Sequence, residues 1–171
     1  PLGTRLDEIV FQHAGGPLPG RKVKGVIPGG MSMPILPVSQ LDVPMANEFL
    51  RERKTMLGTG GVMVLDDTTC MVRVGCVITY FFRDESCGQC TQCREGTGWL
   101  NKIMQRIERG AGSLADIDIL LDVAGKMEGQ TICAFADAAA WPVQGLLRHF
   151  REDFEAHVTH GKCPFPQSFE L

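Results

Sequence analysis

Cys87, Cys90 and Cys93 follow one another at C-x-x-C intervals within Glu85-Ser86-Cys87-Gly88-Gln89-Cys90-Thr91-Gln92-Cys93-Arg94-Glu95-Gly96. Two such steps in succession let one tight loop offer three thiolates to a single inorganic core. A cubane [4Fe–4S] cluster takes four thiolates, one per iron, so the loop requires a fourth ligand from elsewhere. The compact ferredoxin run would place that cysteine where Thr97 stands, which excludes it. Cys163-Pro164 keeps the Cys-Pro pair but lies in a polar, proline-bearing tail. Cys133 sits in Gly129-Gln130-Thr131-Ile132-Cys133-Ala134, a short loop between two helical patterns that can fold back onto the first loop. This reading favours Cys133 over Cys163 as the fourth ligand.

The competing chemistry is zinc, which also accepts four thiolates, though usually as two separated C-x-x-C pairs. A structural rather than redox cluster is a further alternative. Cys70 and Cys76 lie on the helical pattern before the loop and read as small buried hydrophobes. Cys163 reads as a free tail thiol. Of the histidines His13, His149, His157 and His160, only His157 and His160 have near spacing, and they read as a surface pair. The cysteine loop leads straight into a helix, whose N-terminal N–H groups and dipole favour negative charge. Gly88 and Gly96 are expected to allow a tight backbone that donates to sulfur, and Arg94 to add a cation that eases reduction.

The elements that must position these groups follow from periodicity. Thr4 to His13 reads as a short helix with Leu6, Ile9 and Val10 on one face, ended by Ala14-Gly15-Gly16. Val23–Ile27 and Val62–Leu65 read as strands, and Met33–Val38 as an extended edge or loop, given Pro34 and Pro37. Asn47–Arg53 is a candidate helix. Gly58-Thr59-Gly60-Gly61 precedes a strand rather than opening a helix, the wrong context for a phosphate loop.

From Asp67 the pattern is helical. Asp67 or Thr68 is expected to cap a helix through Met71, Val74, Ile78 and Phe81 or Phe82. A second carries Trp99, Leu100, Ile103, Met104 and Ile107. A third, capped by Ser113 with Asp116, carries Leu114, Ile117, Leu120, Leu121, Ala124 and Met127. A fourth runs from about Asp137 to His157, with Pro142 tolerable in its first turns. Trp99, Trp141, Phe150 and Phe154 are expected in the core, and Lys126, Glu128 and the charges from Arg148 to Glu155 on solvated faces. Four such helices make a bundle with the cysteine loops at one end.

Composition excludes other functions. The chain has 171 residues, 44% hydrophobic and 22% charged, enough for a buried core. Its net charge of −3 gives no argument for nucleic acid. No apolar run approaches the ~18–20 residues of a membrane span. Seven cysteines in this spacing suit a metal centre in a reducing compartment better than a disulfide framework. No nucleophile–base pair or G-x-G-x-x-G is present. The start at Pro1, with neither Met nor a signal peptide, is read as that of a fragment or processed chain.

The loop from Glu85 to Gly96, together with Thr131-Ile132-Cys133-Ala134-Phe135-Ala136-Asp137-Ala138-Ala139-Ala140-Trp141-Pro142-Val143-Gln144-Gly145 and His149-Phe150-Arg151, closely resembles the family of flavin-bearing, NADH-oxidising subunits of respiratory complex I. Residues Pro1 to Gly30 resemble the ubiquitin-like SLBB domain that precedes the cluster domain there, with its first strands missing. The resemblance implies an α+β fold: an incomplete ubiquitin-like (SLBB) α/β unit over residues 1–66, then a four-helix-bundle iron–sulfur domain over residues 67–171. By motif position it implies that Cys87, Cys90, Cys93 and Cys133 ligate a [4Fe–4S] cluster, which accepts electrons from FMN reduced by NADH and passes them toward quinone. Gln92 departs from the proline common at its position without removing a ligand.

The family's FMN and NADH site lies upstream of the SLBB part, so the chain alone is expected neither to bind FMN nor to oxidise NADH. Implied partners are a thioredoxin-like [2Fe–2S] subunit and a large multi-cluster subunit. The implied location is peripheral, at the cytoplasmic face of a bacterial membrane or the matrix side of a mitochondrial one. Diaphorase subunits of NAD-reducing hydrogenases and NAD-linked formate dehydrogenases share these motifs. A non-redox module held by zinc or a structural cluster is the alternative of a different class.

Overall fold

The structure, a computed structural model, describes residues 1–165 and 168–169. The chain divides into two compact units, Pro1–Thr69 and Cys70–Leu171, and has α+β character.

In the first unit, strand β1 (Val23–Ile27) lies between β2 (Leu36–Pro37) and β3 (Met63–Asp66), antiparallel to both. Gly25 faces Pro37, and Ile27 faces Met63. Pro37 is tolerated because β2 is an edge strand, where a missing N–H breaks no ladder. A bulge between Val23 and Gly25 shifts the register against β3. Leu6, Val10, Val26, Leu36, Leu41 and Leu50 form the core of this unit.

The expected helix over Thr4–His13 is shorter: α1 spans only Leu6–Glu8 and continues as a π turn through His13. Ala14 N donates to Ile9 O at 2.9 Å, widening the turn before Gly15 and Gly16 adopt positive φ. Helix α2 covers Asn47–Glu52. The glycine segments at 29–30 and 58–61 close on each other: Thr59 N donates to Gly29 O at 3.0 Å and Gly30 N to Gly61 O at 2.8 Å. A Cβ on Gly29 would run into the Leu57 backbone and one on Gly58 into the Gly29 carbonyl, so these glycines serve close chain approach.

The second unit contains α3 (Met71–Glu85), α4 (Thr91–Glu108), α5 (Leu114–Met127) and α6 (Phe135–His160). Helix α3 packs on α4 and α6, and α5 packs on α4 and α6. Neither Asp67 nor Thr68 caps α3. Asp66 instead accepts from the Thr68 N–H and from the Thr68 and Thr69 hydroxyls, while Cys70 is the N-cap, its sulfur accepting from Arg73 N at 3.4 Å. Phe82, not Phe81, enters the core and meets Phe135 edge to face at 5.4 Å.

Trp99 is 53% exposed, contrary to its expected place in the core, because the buried stripe of α4 runs through Leu100, Ile103, Met104 and Ile107. Leu114 and Leu121 are likewise exposed beside the buried Ile117, Leu120, Ala124 and Met127. The Ser113–Asp116 capping box is present. Helix α6 starts two residues before Asp137 and includes Pro142, but its backbone departs from helical geometry at Phe150 (φ −136°, ψ 27°). Buried Asn101 donates to Thr79 Oγ1 at 3.2 Å and accepts from Arg83 and Gln105, which satisfies the polar group between α3 and α4.

Candidate metal centre

Helix α3 ends at Glu85, and α4 begins at Thr91 after five intervening residues. Cys90 is the N-cap of α4 and Cys93 lies in its first turn, so both sulfurs stand at the positive end of an 18-residue helix. Cys93 is buried, Cys90 half-buried and Cys87 exposed. Gly88, at φ +76°, turns the loop, and Arg94 Nη1 donates to its carbonyl at 2.6 Å. Arg94 therefore clamps the loop backbone as well as supplying charge. Its Nε also donates to Glu95 at 3.1 Å, which partly offsets that charge.

Gly96, expected to serve sulfur, instead lies buried in α4, where an added methyl would sit 2.5 Å from Met127 Sδ. Its role is to let α5 approach. Ser86 carries no signal in the sequence beyond its place in the loop. Its Oγ lies 3.3 Å from Cys93 Sγ and accepts from Gly88 N at 3.3 Å. With its oxygen occupied by that N–H, the hydroxyl proton is free to point at sulfur.

Cys133 is exposed on the connection between α5 and α6. That connection is tied down by motif residues. Trp141 Nε1 and Gln144 Nε2 donate to the two Glu128 oxygens at 2.7 and 2.9 Å, and Gly129 N donates to Asp137 at 2.6 Å. Glu128 is exposed, as expected, and also anchors this connection. The hydrogen bonds from Gln144 and then Trp141 hold its carboxyl below the usual value of 4.5. A lowered folded value means that this stabilisation is full above the unfolded carboxyl's pKa and lost as pH falls through the folded one. Glu128→Gln is therefore expected to destabilise the chain at pH 7 by about 0.5 kcal/mol, solvent screening reducing the contribution of an exposed carboxylate, with the difference from wild type shrinking in acid. Urea unfolding of both proteins from pH 7 to pH 3 checks this; a difference independent of pH would refute it.

The two loops meet. Cys87, Cys90, Cys93 and Cys133 all border one cavity of about 300 Å³, whose lining includes Ile132 and Phe135. Four sulfurs around one largely apolar hollow form a soft donor set that fits a thiolate-ligated iron–sulfur cluster.

Cys163 does not line this cavity. It lies with Cys70 and His157 at the other end of α3, their ligand atoms within 4.8 Å of one another. By sequence alone these three read as a tail thiol, a buried hydrophobe and a surface histidine. His157 is in fact fully buried. Its Nε2 is 3.3 Å from Cys70 Sγ, and burial pushes the Cys70 thiol up to about 12. Nothing local in the sequence signals this trio, since Cys70 and His157 stand 87 residues apart.

Residues 75–157 match the family described as "NADH-ubiquinone oxidoreductase-F iron-sulfur binding region". The chain is 48% identical over 165 residues to the NADH-quinone oxidoreductase F subunit 2 of Rhizobium meliloti (strain 1021), covering 96% of this chain and 39% of the relative. It is 47% identical to the NADH-quinone oxidoreductase F subunit of Mycobacterium bovis, covering 96% and 37%. The chain thus spans about two fifths of the length of these relatives. Among solved structures, a crystal structure of an NAD+-reducing [NiFe]-hydrogenase in the H2-reduced state aligns with TM-score 0.81 at 33% identity, over 92% of this chain and 26% of that one.

Proposed function

We propose that Cys87, Cys90, Cys93 and Cys133 hold one [4Fe–4S] cluster, and that the chain is the electron-transfer part of an NADH-oxidising subunit of NADH-quinone oxidoreductase. The observation that carries the reading is the meeting of two cysteine loops on one hollow. When bound, the cluster supplies a one-electron station between a two-electron flavin and the carriers that lead to quinone.

The chain's own residues do the tuning. Helix α4 presents its N-terminal dipole to Cys90 and Cys93, the Ser86 hydroxyl lies 3.3 Å from Cys93 sulfur, where it donates once that sulfur is a thiolate, and Arg94 brings a cation to the loop it fixes. Each of these favours the more negative, reduced state. FMN and NADH belong to the part of the subunit this chain does not span, so the isolated chain neither binds FMN nor oxidises NADH. The proposed partners are a thioredoxin-like [2Fe–2S] subunit and a large multi-cluster subunit. The proposed position is peripheral, at the cytoplasmic face of a bacterial inner membrane or the mitochondrial matrix side. Among the described residues no helix is long and apolar enough to cross a membrane.

The three-stranded unit is proposed as a partial SLBB domain (residues 1–66) and the helical unit as a four-helix-bundle cluster domain (residues 67–171). A second reading, a diaphorase subunit of an NAD-reducing hydrogenase, is favoured by the hydrogenase likeness. The higher identity to the quinone-reductase relatives argues for the first.

The test is an EPR-monitored redox titration of the anaerobically reconstituted chain. A reversible [4Fe–4S]⁺ signal is expected, and Ser86→Ala should lower its midpoint potential by tens of millivolts, the scale of one hydrogen bond of about 1 kcal/mol. Protein that takes up zinc but no iron, and stays EPR-silent, would overturn the redox reading.

A further inference from the structure

Cys70, His157 and Cys163 converge from three separate pieces of chain. Cys70 is the N-cap of α3, and His157 lies in the last turn of α6. Gly161 ends α6 in the left-handed conformation (φ 61°, ψ 21°), which turns the chain so that Cys163 can return. Cys70 and His157 are fully buried and Cys163 is half-buried.

The hydrogen bonds fix the chemistry each group offers. His157 Nδ1 lies 2.6 Å from the Asp153 carbonyl, which can only accept, so Nδ1 carries the proton. Nε2 then presents its lone pair toward Cys70 sulfur, 3.3 Å away. A histidine held in this tautomer by a backbone carbonyl is the usual arrangement of a metal-ligating imidazole. Cys70 sulfur in turn accepts from Arg73 N at 3.4 Å, at the positive end of α3, which offsets part of the burial that holds the thiol protonated.

Two sulfurs and one imidazole nitrogen are a soft to borderline donor set that suits zinc rather than calcium or magnesium. Zinc bonds of about 2.0–2.3 Å space tetrahedral donors by roughly 3.3–3.8 Å, so a trio within 4.8 Å needs to close by only about an ångström.

We propose that Cys70, His157 and Cys163 bind one zinc ion, separate from the cysteine-lined hollow, which clamps the start of α3 to the end of α6 and the segment after it. Binding displaces the two thiol protons to solvent, and a water reaching the half-buried side completes the tetrahedron. Cys70 and Cys163 both lie outside the matched region 75–157, so the site is not implied by the family match.

The test measures zinc and iron per chain after anaerobic cluster reconstitution and dialysis. It compares wild type with Cys163→Ser, His157→Gln and Cys133→Ser. Wild type and Cys133→Ser are expected to keep one zinc. Cys163→Ser should keep its iron while binding zinc more than about 100-fold more weakly, beyond the ~10–100-fold cost of losing an outer-shell partner. Cys163 is half-buried, so this variant retains the core, and far-UV circular dichroism verifies that it does. Cobalt substituted in wild type should give thiolate-to-metal charge-transfer bands and a tetrahedral visible spectrum, both weakened in Cys163→Ser. Two results would overturn the site and leave a thiol–imidazole contact or a Cys70–Cys163 disulfide. One is wild type that binds no zinc. The other is zinc that persists in Cys163→Ser but vanishes in Cys133→Ser.

Discussion

Cys133→Ser is expected to lose the intact cubane: iron falls from about four per chain to three or fewer, and the reduced [4Fe–4S]⁺ signal disappears. Cys163→Ser is expected to leave both unchanged. The effect is all-or-none because each iron needs its own ligand, and a serine hydroxyl is neither a thiolate nor readily deprotonated. Packing makes the comparison decisive. Both residues lie outside the helices, downstream of the triplet, yet of the two only Cys133 borders the hollow with Cys87, Cys90 and Cys93. Full iron content and an unaltered signal in Cys133→Ser would move the fourth ligand elsewhere.

Gly110→Ala is expected to destabilise the chain by about 2–4 kcal/mol, the sum of a forbidden backbone conformation and a steric conflict. Gly110 ends α4 at φ +73°, and a Cβ there would run into the Gly161 carbonyl, with Lys162 N at 2.5 Å. These are backbone atoms, so no rotamer change relieves the contact. The segment after α6 has to move, carrying Cys163 from Cys70, and zinc binding should weaken with stability. Gly98→Ala and Gly125→Ala are the controls: both glycines lie inside helices with nothing within 4 Å of an added methyl. They are expected to stabilise by about 0.5–1 kcal/mol. Urea unfolding of all three variants measures this. A Gly110→Ala cost below about 1 kcal/mol would mean that the two helix ends do not hold this approach.

Where local rules apply, the elements were legible. The Ser113–Asp116 capping box, the strand Val23–Ile27 and the buried stripe Leu100, Ile103, Met104, Ile107 all follow from side-chain type and period. Where a group's partner lies far along the chain, they were not. Trp99 continues the apolar pattern of α4 yet faces outward, because the direction from which α5 and α6 pack decides which part of an apolar arc is covered. Glu128 reads as a surface charge and is exposed, but its two partners, Trp141 and Gln144 on α6, do not show in the sequence. Cys70 replaces Asp67 and Thr68 as the cap because Asp66 has already engaged Thr68 and Thr69.

By itself, then, the sequence determined the ligand chemistry: three thiols on one loop, a fourth downstream, and a helix start beneath them. Loop context already favoured Cys133 over Cys163; the tertiary structure brings Cys133 to the hollow and sets Cys163 beside Cys70 and His157. Thiolate type and loop spacing are local properties, whereas the meeting of Cys70 with His157, or of Cys133 with the triplet, depends on how helices pack end to end. Helical periodicity constrains a residue's neighbours only within a turn or two; beyond that, the shape of the buried core sets the distance.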